Sequence, residues 1–130
     1  MIVDASALIA ILLAEPTAER LRFALASVTQ RIVSAATVLE AAMVMDGRKG
    51  AAGGEELDAL LRELGIRIAP FDEEQLQWAR LAFRMYGKGR HPAGLNFGDC
   101  FSYALSKATG RPLLFVGDDF ARTDIAAVSW

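Results

Sequence analysis

Short, wholly apolar runs alternate along this chain with longer stretches in which apolar residues recur every three or four positions. That alternation predicts buried strands separated by helices. Ile2-Val3 opens the series as a strand and stops at Asp4, and a helix apolar on every face follows over residues 7–14. A second helix begins near Pro16-Thr17 and runs to about residue 27, with Leu21, Ala24 and Leu25 on one side. Residues 31–34 read as a second strand leading into a helix over 35–45, and 49–54 as a glycine-rich loop. An amphipathic helix over 55–64 closes at Gly65, where a glycine commonly ends a helix. A third strand is expected at 66–69. Asp72 and Gln75 fit a capping box for a helix over 73–86, with Leu76, Ala79, Phe83 and Tyr86 facing in. After a loop over 87–95, Asn96 caps a helix to about residue 108, closed by Gly110. A fourth strand over 113–116 and a short edge strand over 127–130 complete the series.

Strands alternating with helices predict an α/β domain whose parallel sheet is covered on both faces. Its crossovers are expected to be right-handed. One domain over residues 1–130 accommodates the whole pattern, without repeats or linkers.

Composition narrows the chemistry. No apolar run approaches the roughly 18 residues of a membrane span, and no basic leader precedes Ile2, so a soluble cytoplasmic protein is expected. A single cysteine, Cys100, and a single histidine, His91, argue against a disulfide framework, a thiolate zinc site and a histidine relay. The net charge of −2 gives no general support for nucleic-acid binding. It does not exclude it, because acids that hold cations lower the global charge while making a loaded site locally positive.

Four acids sit in apolar company. Asp4 and the pair Asp118/Asp119 leave strands at the carboxyl edge, where such folds gather functional groups. Glu40 and Asp99 lie on helices that begin at or near the same edge. Asp4 also reads as a helix N-cap, Asp99 as the partner of Asn96 in a capping box, and one of Asp118/Asp119 as a turn residue. Glu40 has no comparable role, since a mid-helix acid beside Ala36, Leu39, Met43 and Val44 caps nothing. Two carboxylates about 5 Å apart repel by roughly 3 kcal/mol at an effective dielectric near 20. Convergence of all four would therefore demand protons or a divalent cation. Carboxylate oxygens without histidine or thiolate suit Mg²⁺ or Mn²⁺, and such a site suits hydrolysis of a phosphodiester. Ser6 is placed to orient Asp4 or a water in the site, or simply to cap.

The order Asp4-Ala5-Ser6-Ala7, Ser34 to Glu40-Ala41, Asn96-Phe97-Gly98-Asp99-Cys100, Leu114-Phe115-Val116-Gly117-Asp118-Asp119-Phe120 and Thr123-Asp124-Ile125 resembles the PIN-domain family. Within it, the chain is similar to the VapC-type toxin ribonucleases of bacterial and archaeal toxin–antitoxin pairs. The resemblance implies a three-layer α/β/α sandwich and an Mg²⁺- or Mn²⁺-dependent endoribonuclease. It also implies homodimerisation and neutralisation by a cognate antitoxin. The family's acidic set maps onto Asp4, Glu40, Asp99 and Asp119, with Asp118 as a neighbour of the fourth.

Arg80, Arg84 and Lys88 form a basic stripe that, with Arg90 and His91, is a candidate for RNA phosphates or an ordinary solvated face. The apolar first two helices and the 38–45 face are candidate partner surfaces. Two further readings are a signalling receiver domain and a non-catalytic binding module. The first lacks a phosphoacceptor after strand three and a lysine after strand four, and the second leaves Glu40 unexplained.

Overall fold

Three neighbouring strands each send one residue to either side, and this sets the layers. Ile2, Ile32 and Leu113 enter one core while Val3, Val33 and Leu114 enter the other, as the two-residue period of a strand requires. The computed structural model describes residues 1–130. Its elements in chain order are β1 (Ile2–Val3), α1 (Ala5–Leu12), α2 (Ala18–Ala26), β2 (Arg31–Ser34), α3 (Ala35–Lys49) and α4 (Ala51–Glu63). Then come β3 (Ile66–Ala69), α5 (Glu73–Tyr86), α6 (Phe97–Thr109), β4 (Leu113–Leu114) and a 3₁₀ turn at Phe120–Arg122.

The sheet is parallel throughout, in the order β3-β2-β1-β4. The first core packs it against α1, α2 and α4 through Leu8, Ile11, Leu21, Leu25, Leu57 and Leu60. The second packs it against α5 and α6 through Ala79, Ala82, Tyr103 and Leu105. A three-layer α/β/α sandwich results, as the strand–helix alternation predicts. β2 runs directly into α3, with the Ser34 hydroxyl accepting from Ala36 N at 3.3 Å as the cap. No helix is long and apolar enough to cross a membrane.

Several local expectations give way to tertiary contacts. The apolar first helix begins at Ala5, and its residues are buried or, at Ser6, Ile9 and Leu12, partly buried. Residues 51–54 are helical, and Gly50, at φ +63°, is the only break between α3 and α4. Leu76 and Phe83 stay partly exposed instead of facing in, at 43% and 41%. Asp72 accepts from Gln75 N, but the Gln75 amide donates to the Pro70 carbonyl and not back to the cap, so the box is one-sided. β4 is limited to Leu113–Leu114, and the expected strand over 127–130 is reduced to one bridge between Ala127 and Leu113.

Gly53 shows why a glycine-rich stretch became helix. A Cβ there would run into the backbone carbonyl of Met45, so α3 and α4 approach each other only because none is present. Gly53→Ala is expected to destabilise the fold by about 1–3 kcal/mol, measured by urea denaturation. Gly54→Ala, which meets only the Asp46 carboxylate at 3.2 Å, should be close to neutral by the same measurement.

Candidate active site

β1 ends in an extended residue, Asp4, whose N–H donates to the Leu114 carbonyl at 2.9 Å and so extends the pairing with β4. Its side chain is 4% exposed and fully engaged. Oδ2 accepts from Ser6 N at 3.0 Å and from the Ser6 hydroxyl at 2.6 Å, and Oδ1 accepts from the Ser102 hydroxyl at 2.6 Å. The Ser6 oxygen in turn accepts from Val116 N at 3.0 Å, which ties the residue after β1 to the chain leaving β4. The two sequence readings of Asp4 are therefore compatible. It caps α1 and still presents a carboxylate at the sheet edge.

Asp99 likewise does two things. It completes a capping box with Asn96, each side chain accepting from the other's backbone N–H at 2.9 Å. This engages Oδ2 and leaves Oδ1 free of the cap. Burial pushes its carboxyl up to about 6 against the lowering effect of the Asn96 N–H, and the charges of Asp4 and Asp119 add to the rise. Glu40, on α3, lies against the backbone of Gly98 so closely that any Cβ at position 98 would overlap its carboxylate. Burial raises Glu40 to about 7, with further contributions from Asp4 and then Asp99. The ion pairs of the fold, Arg22–Glu63, Lys49–Glu56 and Lys107–Asp124, lie elsewhere, so no arginine answers the Glu40 charge.

The fourth acid arrives on the loop after β4. Gly117 turns the chain at φ +109°, and Asp118 and Asp119 follow on the exposed side of that turn. Asp124 steadies the segment beyond them by accepting from the Tyr103 hydroxyl and the Lys107 ammonium, both at 2.8 Å. These two donors hold its carboxyl below the ordinary range despite burial. Glu40 thus feels the charges of Asp4 and Asp99, and Asp99 those of Asp4 and Asp119, although no three of these acids form a closed metal-ligating cluster. The all-oxygen donor set, with two carboxyls raised by burial and like charge, fits a hard divalent cation.

The basic candidates are less united. Arg84 lines, with Arg80, an apolar groove of about 800 Å³ between α5 and α6. Arg90 lies 5.2 Å over the Phe83 ring. His91 is occupied by its own loop, with Nδ1 accepting from Ala93 N at 3.0 Å and its ring edge-on to Tyr86 at 5.1 Å. Lys88 is exposed on the same loop.

Three contributors escaped the sequence reading. Ser102 and Thr37 each stand one helical turn from a recognised acid, Asp99 and Glu40 respectively, but i to i+3 spacing does not reveal what a hydroxyl will meet. Phe97 is 81% exposed beside Leu39 and Met43, at 62% and 67%, along a groove of about 620 Å³ that includes Glu40 and Gly98.

With its parallel sheet, covering helices and acids at the carboxyl edge, the chain matches the PIN domain family over residues 1–126. A Ribonuclease VapC of Mycolicibacterium smegmatis is 53% identical over 128 residues, covering 98% of this chain and 99% of the relative. Ribonuclease VapC30 of Mycobacterium tuberculosis is 50% identical over 129 residues, covering 99% and 98%. The crystal structure of Mycobacterium tuberculosis VapC20, described as a sarcin–ricin loop cleaving toxin, superposes with a TM-score of 0.79 at 17% identity, covering 98% and 97% of the two chains. A toxin–antitoxin complex from Klebsiella pneumoniae gives 0.73 at 19% identity, covering 98% and 95%. The chain belongs to the PIN-domain family, and within it to the VapC ribonucleases.

Proposed function

We propose that this protein is the toxin of a toxin–antitoxin pair, a cytoplasmic endoribonuclease that depends on Mg²⁺ or Mn²⁺. Asp4, Glu40, Asp99 and Asp119 would hold the cation, and Asp118 would remain a neighbour on the loop. The observation that carries this reading is the convergence of acids from separate parts of the chain, where burial raises Glu40 and Asp99 and the charges of Asp4 and Asp99 on Glu40, and of Asp4 and Asp119 on Asp99, add to the rise. A bound divalent cation supplies a Lewis acid for the phosphate and a means of activating water. The chain's own part is positioning. Ser6 and Ser102 fix the Asp4 carboxylate, the Asn96 cap fixes Asp99, and Gly98 makes room for Glu40.

The apolar strip of Leu39, Met43 and Phe97 beside the acids is the natural place for partner chains, a second copy or an antitoxin segment. Arg84, Lys88, Arg90 and His91 would meet RNA phosphates, His91 through Nε2, since its Nδ1 accepts from Ala93 N.

The decisive measurement is cleavage of an RNA pool by purified protein, with the new ends mapped. Cleavage is expected with Mg²⁺ or Mn²⁺, to stop with a chelator and to return when the cation is restored. Cleavage indifferent to chelation would sink the metal-dependent reading.

A further inference from the structure

Three buried oxygens form a line through the middle of the site. Thr37 Oγ1 lies 3.3 Å from Ser102 Oγ, and Ser102 Oγ lies 2.6 Å from Asp4 Oδ1. Thr37 is 0% exposed and Ser102 1%, so water is no alternative partner for either hydroxyl. A hydroxyl carries a single proton. Ser102 gives its one proton to Asp4 Oδ1, so Thr37 must be the donor to Ser102. The direction of the line is therefore Thr37 to Ser102 to Asp4.

From this geometry we infer that Ser102 and Thr37 are positioning residues of the acidic site. The inference rests on the metal-dependent reading proposed above. Two features go beyond satisfying a buried carboxylate. Asp4 Oδ2 is already held by Ser6, whose oxygen is fixed by Val116 N, so Ser102 closes the opposite side. Rotation about the terminal bond of an aspartate is soft, and donors on both oxygens lock the carboxylate plane. Position along the helices is the second feature. Thr37 stands three residues before Glu40 on α3, and Ser102 three residues after Asp99 on α6. One line of hydroxyls thus joins the three elements that carry Asp4, Glu40 and Asp99, each helical hydroxyl one turn from the acid of its own helix. Partners of this kind orient metal-binding groups, and their loss typically weakens metal binding by about 10–100-fold.

The test is Mn²⁺ titration by calorimetry on the full chain, beside cleavage assays. Ser102→Ala is expected to weaken Mn²⁺ binding about 10-fold or more. It should raise the Mn²⁺ concentration for half-maximal cleavage in parallel, while RNA binding measured in chelator stays unchanged. Thr37→Val, which keeps shape and removes the donor, should weaken Mn²⁺ binding by a smaller factor. Thr37→Ser, which keeps the hydroxyl, should restore it. Because the two groups act in series, Thr37→Val should add little in the Ser102→Ala background. Wild-type Mn²⁺ affinity in both Ser102→Ala and Thr37→Val would overturn the inference and leave the ribonuclease reading intact. A wild-type protein that binds no Mn²⁺ would overturn both.

Discussion

Replacing Glu40 with glutamine is expected to silence RNA cleavage and at the same time to stabilise the cation-free protein at neutral pH. Loss of one preorganised electrostatic partner at a reacting centre costs on the order of 10²–10³ in rate, and a comparable loss is expected here. The stability gain follows from the raised carboxyl. Folding lifts Glu40 from its ordinary value of 4.5 to about 7, mainly by burial and then through the Asp4 and Asp99 charges. The folded state therefore binds the proton more tightly than the unfolded chain. This contribution is complete below about pH 4.5 and is lost as pH rises through about 7. Asp99 adds a second loss of the same sign between its ordinary 3.8 and about 6. Full linkage would make Glu40 alone worth roughly 3 kcal/mol. Contact with solvent reduces that to about 1–2 kcal/mol.

In chelator, the wild-type melting temperature should therefore fall between pH 5 and 8. Glu40→Gln should flatten that slope and melt roughly 5 °C higher at pH 8. Saturating Mn²⁺ should flatten the wild-type slope as well, since a cation answers the same charges. An unchanged slope in Glu40→Gln would show that the acid is not under the strain assigned to it. Retained cleavage would show that it is not part of the site.

The parts of this molecule that could be read in advance are those in which a residue's own neighbours decide its fate. Ile2-Val3 and Ile32-Val33 are apolar on both faces of a short strand, which leaves a doubly covered sheet as the natural solution. Glu40 stands out because its helical neighbours are apolar, whatever it touches in space. The misread parts are set by partners distant along the chain. Gly50, Gly53 and Gly54 look like a loop until Met45 is seen to need the room at Gly53. Leu76 and Phe83 have inward periodicity, yet what they face is a groove between α5 and α6. Ser102 meets its carboxylate 98 residues away, and nothing in its own helix distinguishes it from Ser106, which caps a backbone carbonyl at Arg111. Alternatives also proved less exclusive than they looked, because Asp4 and Asp99 each cap a helix with one oxygen while the other is held by the buried Ser102 hydroxyl in Asp4 and is free of the cap in Asp99.

Gly98→Ala should lose activity without losing the fold, because the Cβ is harmless to the helix and harmful to the acid beside it. Gly98 sits in the first turn of α6 with no positive φ, so alanine suits its backbone better than glycine. In a helix interior that preference is worth about 0.5–1 kcal/mol. The atoms a Cβ would strike are the carboxylate oxygens and Cδ of Glu40, the far end of a flexible side chain, and not backbone. Glu40 can therefore swing aside at little cost to α3, but it leaves its place among Asp4, Asp99 and Asp119. Cleavage is expected to drop by about 10–100-fold, the range found when the support of a metal-binding group is removed. The melting temperature at pH 5 should be unchanged or slightly higher. Moving Glu40 toward water should also bring its carboxyl down, so the fall in stability between pH 5 and 8 should shrink, as in Glu40→Gln. Since both substitutions act through one side chain, the double variant should be no slower than Glu40→Gln alone. Wild-type cleavage by Gly98→Ala would mean that the position of the Glu40 carboxylate is immaterial. A large drop in stability at pH 5 would mean that the close contact belongs to the packing of α3 on α6 and not to the site.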